Sequence, residues 1–128
     1  PLNSIWEGSG NVNVLDVLRG LARTPEAWEA FRNEVALAAG ADKRLDAAMA
    51  SLDAELGDTA DIEVRARRVV EHMALVLQGS LLVRFAPDFV ADAFCASRLG
   101  GDWGHAFGTL PAGVDTAAIV ERATPKVA

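Results

Sequence analysis

The chain has 128 residues, 51% of them hydrophobic, with 18 acids against 12 bases and one cysteine. A lone Cys95 excludes an internal disulfide framework, and with only His72 and His105 beside it the residues for an all-protein zinc site are lacking. The net charge of −6 argues against a general nucleic-acid coat, which needs a surplus of Lys and Arg against phosphate.

No targeting segment opens the sequence, since Pro1 leads into Leu2, Asn3 and Ser4 without a basic start and apolar run. The charge-free stretch 72–83 in the most apolar region falls well short of the roughly 20 residues a bilayer requires. A cytoplasmic protein is the expectation. Mean hydropathy is nonetheless +0.18, high for a chain this small. That predicts apolar surface beyond the needs of one core, to be covered by other domains or by copies of the chain. The start at Pro1 without an initiator methionine, a few residues before a Gly-rich motif, fits a piece of a longer protein.

Twenty-four alanines, no tyrosine and little β-type alternation make helix the default. A first helix is predicted over 11–23, with Val14, Leu15, Leu18, Leu21 and Ala22 on an apolar face and Asp16, Arg19 and Arg23 on a polar strip. Thr24, Pro25 and Glu26 then read as N-cap, first-turn proline and dipole-favouring acid. The second helix carries Trp28, Phe31, Val35 and Ala38 inward and stops near Gly40. A third, 42–56, places Leu45, Ala48, Met49, Leu52 and Leu56 on one side.

The fourth helix, 59–84, is the longest. Its second half is apolar nearly all round, which predicts burial on every side. Pro87 ends that pattern and opens a fifth helix to about Leu99, with Val90, Ala93, Phe94 and Ser97 inward. Residues 102–113 read as irregular loop, and Asp115 caps a short last helix to Arg122. The expectation is an all-α, up-and-down helical bundle: four main helices plus short C-terminal ones. Its parts are a motif loop (1–10), the bundle (11–99), and a Gly-rich loop with a short helix (100–128).

One basic cluster stands out: Arg65, Arg67 and Arg68, with Glu63 and Glu71 at spacings that allow pairs. It reads either as a solvated helix face or as a small nucleic-acid surface. Arg19 lies one turn after Asp16, at a spacing that allows an i, i+3 ion pair. His72 falls beside the apolar stripe of the fourth helix, and Cys95 reads as a buried, unreactive thiol.

The most informative stretch is Trp6, Glu7, Gly8, Ser9, Gly10 and Asn11, followed at once by a helix. Small residues at a helix N-terminus let a ligand approach backbone N–H groups suited to an anion. A carboxylate there, beside an apolar Trp wall that would raise its pKa, is placed for general-base work. The plain alternative is that Ser9 or Asn11 caps the helix while Glu7 is an exposed acid favoured by the dipole.

This run, continued by Leu15, Asp16, Val17, Leu18 and Arg19, resembles the acyl-CoA dehydrogenase superfamily, and within it the AidB-type, adaptive-response-to-alkylation branch. Trp6 in place of the usual Tyr, and Asn11 in place of Gln, make that branch the better match. The resemblance implies the C-terminal α-helical domain of a flavoprotein and makes Glu7 the base that removes the α-proton of an acyl thioester. It gives Trp6 and Arg19 a place near substrate and flavin, and Gly8, Ser9 and Asn11 contacts to FAD. It also implies FAD and an acyl-CoA-like substrate in the full-length protein, the chain's own N-terminal and β domains as partners, and a homo-oligomer. The isolated fragment is expected to bind no FAD tightly and to be inactive. The branch's association with double-stranded DNA would fall on Arg65, Arg67 and Arg68, against an acidic balance. A purely structural oligomerisation bundle is the remaining alternative.

Overall fold

The structure, a computed structural model, describes residues 9–101, 104, 106 and 108–126. These form six α-helices and one π-helical turn, with no strand among the described residues. Helix α1 (Gly10–Arg23) is closed by the Thr24 N–H donating to the Gly20 carbonyl, and Pro25 opens α2 (Pro25–Ala36) at once. The α2 helix stops four residues short of the expected end. Leu37, Ala38 and Ala39 each donate to the carbonyl three residues back, the tighter spacing that ends a helix, and Gly40 turns the chain at φ 80°.

Asp42 caps α3 (Lys43–Gly57) by accepting from the Arg44 N–H at 2.8 Å. Helix α4 (Ile62–Phe85) begins later than the expected 59, because Asp61 takes a left-handed conformation at φ 50°. Residues 58–60 form a turn instead, in which the Ala60 N–H donates to Asp58 Oδ1. Pro87 precedes α5 (Asp88–Phe94), which widens into a π-helical turn over Cys95–Leu99. The local cause is Ser97, whose hydroxyl donates to the Ala93 carbonyl at 2.7 Å, while the Gly100 N–H reaches back to Cys95. Asp115 caps α6 (Thr116–Ala123) through the Ala118 N–H, as its type and position predict.

Helix α4 is the central element, touching α1, α2, α3, α5 and the π turn. The core is built from Val35 and Ala38, then Leu45, Ala48 and Leu52 of α3, and Val69 and Val76 of α4. Each of the larger fully buried side chains among them contributes about 1.5–3 kcal/mol of hydrophobic stabilisation. Trp28 and Phe31 stack at 5.2 Å between centroids and border this core half-buried. Gly79, inside α4, marks a close approach: a Cβ there would stand 2.9 Å from Leu99 Cδ1 and 3.3 Å from Leu45 Cδ1. The absence of a side chain is what lets the π turn and α3 meet α4 at one level.

The expected burial of α4 on every side does not hold. Leu81 is 39% exposed and Phe85 71% exposed, because neighbouring helices cover the other faces and leave this one open. Arg84 partly roofs it, lying 4.6 Å over the Phe85 ring while pairing with Glu34 at 2.6 Å. Nor is the predicted face of α1 closed over, as Ala22 is exposed and Val14, Leu15, Leu18 and Leu21 are only half-buried. No helix among the described residues is long and apolar enough to cross a membrane.

Candidate functional site

The candidate site gathers where the chain enters α1. Trp6, Glu7 and Gly8 lie outside the described residues, as do Trp103, His105 and Phe107 of the Gly-rich loop. Ser9 is the N-cap of α1, extended at φ −61° and ψ 97°, and its carbonyl accepts from the Asn13 N–H at 3.1 Å. Its hydroxyl makes no capping bond. Both Ser9 and Asn11 are exposed.

Arg19 lies two to three turns along α1 and pairs with Asp16 at 2.9 Å, both side chains 63% exposed. The i, i+3 pair expected from spacing is therefore present. At this exposure it stabilises little, about 0–1 kcal/mol. Arg67 approaches the other end of the helix, its guanidinium lying against Gly10 where a side chain on residue 10 would sit.

The three arginines turn to different neighbours. Arg65, 29% exposed, donates to the backbone carbonyls of Glu55, Asp58 and Ala60 and thereby ties the C-terminal end of α3 to the start of α4. Arg68 pairs with Glu55 at 3.3 Å, and His72 Nδ1 stands 3.8 Å from the same carboxylate oxygen. Among the described residues these ion pairs run across helices, to Asp58 and Glu55, rather than along α4 to Glu63 and Glu71 as spacing allowed. The helical turn puts residues 65 and 68 toward α3 and residue 67 toward α1.

Sequence reading missed two features. One is a groove of about 520 Å³ bordered by Leu18 and Leu21 of α1, Pro25 and Trp28 of α2, and Leu56 and Ile62 beyond, with the Arg32–Asp53 pair at its edge. Helical periodicity placed Leu18, Leu21 and Trp28 inward, and it cannot tell a closed interface from an open one. The other is a polar cluster around Arg44. Its guanidinium holds Asp42 at 2.6 and 3.0 Å and Asp92 of α5 at 2.8 Å.

That cluster lies beside Cys95. The Arg44 hydrogen bond holds the Asp42 carboxyl below its usual range, and its two carboxylate partners hold the Arg44 guanidinium above its own. Burial first, and then the Asp42 charge, push the Cys95 thiol up to about 11. A thiol so shifted is protonated at neutral pH and a poor nucleophile, in line with the unreactive role read from sequence. No group of His, Cys, Asp and Glu among the described residues could hold a metal ion.

No family model matches the chain, and no solved structure matches it significantly. Among curated proteins the chain is similar to AidB, an acyl-CoA dehydrogenase-like protein of Escherichia coli (strain K12). The two are 33% identical over 99 residues, which make up 77% of this chain and 18% of the relative. The chain thus spans less than a fifth of the length of the protein it matches.

Proposed function

We propose that the chain is the C-terminal helical part of an acyl-CoA dehydrogenase-like flavoprotein of the AidB type, an up-and-down bundle entered through a catalytic loop. The observation that carries this reading is the 33% identity to AidB over 99 residues, together with the Trp6–Asn11 motif at the mouth of α1. Glu7 is the base: its carboxylate takes the α-proton of an acyl thioester as the β-hydride departs. FAD, when bound, supplies the acceptor for that hydride.

The described residues fit such a cofactor. The Ser9 hydroxyl makes no capping bond and Asn11 is exposed. Ser9, Asn11 and the Gly8 backbone would hold polar atoms of the flavin, with Trp6 packing beside substrate and flavin. Arg19, already shared with Asp16, would set the polarity of the substrate cavity and disfavour a long acyl chain. The exposed apolar side chains of Leu37, Val64 and Phe85 support a further role in contacting other domains or sister subunits.

The test is Glu7→Gln in the full-length flavoprotein. Loss of acyl-CoA turnover by about 10²-fold or more, with flavin content unchanged, is the expected result. Turnover within threefold of wild type refutes the assignment. Titrating FAD into the 128-residue chain should leave flavin fluorescence unquenched, and micromolar quenching would overturn its reading as a fragment.

A further inference from the structure

Arg32, Arg44 and Arg122 each border a cavity, and the first two are already neutralised. Arg32 pairs with Asp53 beside the groove at Trp28, and Arg44 is held by Asp42 and Asp92. Arg122 differs. It is exposed at the rim of a cleft of about 270 Å³ between α6 and the face made by α4 and α5. Among the described residues it makes no hydrogen bond or ion pair, and no Asp or Glu lines the cleft.

The walls are apolar: Leu82 of α4, Val90 and Phe94 of α5, Leu110, and Ile119 of α6. The other polar side chain in the lining, Ser97, is buried and commits its hydroxyl to the Ala93 carbonyl at 2.7 Å. The interior therefore offers no free donor, while the rim carries one uncompensated cation. Such a site takes an apolar body with an anionic head, and the fork of a guanidinium fits the two oxygens of a carboxylate. A single cation balances a single negative charge, which favours a carboxylate over a phosphate dianion. At about 30 Å³ for each water-sized group, the space holds about nine such groups.

We propose that this cleft binds a medium-chain carboxylate, its tail against Phe94 and Ile119 and its head on Arg122. Helix α6 joins the rest of the fold mainly through α5. A tail that bridges Leu82, Phe94 and Ile119 adds contacts across that junction, so occupancy also clamps α6 to the bundle. The inference is independent of the reading of Glu7 as the base.

The test is a nuclear magnetic resonance titration of the 128-residue chain with octanoate, and with octanol as the uncharged molecule of equal tail length. Octanoate should bind with a Kd of about 1 mM or tighter. It should bind at least about fivefold tighter than octanol, with shifts concentrated in α5, the π turn and α6, and with slower amide exchange in α6. Arg122→Gln, at an exposed position, should abolish the preference for octanoate and leave the affinity for octanol as it was. Lys126→Gln, an exposed cation just beyond α6, should alter neither. Equal affinity for the two molecules, or a preference that survives Arg122→Gln, overturns the proposal. So do shifts centred on the Trp28 groove, no binding of octanoate by about 10 mM, or ligand-free shifts at Ile119 that change on dilution, the mark of a second copy seated there.

Discussion

The cluster around Arg44 offers the most direct check on the energetics of the fold. Asp42 does two things: its carboxylate caps α3 through the Arg44 N–H, and it accepts from Nη2 and Nε of the Arg44 guanidinium at 2.6 and 3.0 Å. The Asp42 side chain is 15% exposed, whereas Asp92, the other partner of Arg44, is 52% exposed. Asp42→Ala removes a cap worth about 1 kcal/mol and a partly buried charge-assisted pair worth about 1–2 kcal/mol. The expected cost is therefore about 2–3 kcal/mol. Asp42→Asn keeps a good cap and loses the charge, for about 1 kcal/mol, and Asp92→Ala loses an exposed pair worth about 0.5 kcal/mol.

Urea denaturation followed by helical circular dichroism reads these differences. With a slope of about 1.5 kcal/mol per molar, Asp42→Ala should lower the midpoint by about 1.3–2 M. The pH dependence supplies an independent arm. A carboxyl whose folded pKa lies below the unfolded value of 3.8 contributes stability above that value and loses it as pH falls through the lower, folded one. Wild type and Asp42→Asn should therefore converge as the pH falls below 3.8. If Asp92→Ala costs as much as Asp42→Ala, or the Asn variant as much as Ala at neutral pH, the division between cap and ion pair is refuted.

Cys95 is fully buried, with its thiol pushed up to about 11, so native-state labelling at pH 8 should be at least about 100-fold slower than in denaturant. Because the folded thiol holds its proton more tightly, stability should fall as pH rises from 9.0 towards 11, and Cys95→Ala should flatten that limb; a thiol labelled at once refutes both. Leu52, with no exposed surface, should cost about 2–5 kcal/mol as Ala, read as a fall in urea midpoint. Gly79→Ala gains helix propensity yet must push Leu99 and Leu45 aside, so a net loss of stability is expected, and a gain would show that the π turn moves freely.

Much of the helical layout is legible in the residues themselves. Asp42 and Asp115 announce their helices because a short acceptor side chain satisfies first-turn N–H groups whatever surrounds it. Pro25 and Pro87 mark boundaries through fixed backbone geometry, and Leu45, Ala48 and Leu52 show one buried face through a period near 3.6. The motif that carries the functional reading is likewise a matter of residue types in order. The departures arise where the chain meets itself. The α4 start moved because Asp61 turned left-handed beside a loop gripped by Arg65, and the fifth helix widened where Ser97 took the Ala93 carbonyl.

Amphipathic periodicity records how apolar a face is, and says nothing of which neighbour arrives to cover it. Helical content and the caps at Asp42 and Asp115 were therefore set by the sequence alone, since they depend on interactions within a few residues. The open side of α4 at Leu81 and Phe85 depended on tertiary contacts, as did the meeting of Arg44 with Asp92 and of Arg67 with Gly10. Arg44 and Asp92 are 48 positions apart and Gly10 and Arg67 are 57 apart; such pairs come together only when whole helices pack, and no local pattern encodes their approach.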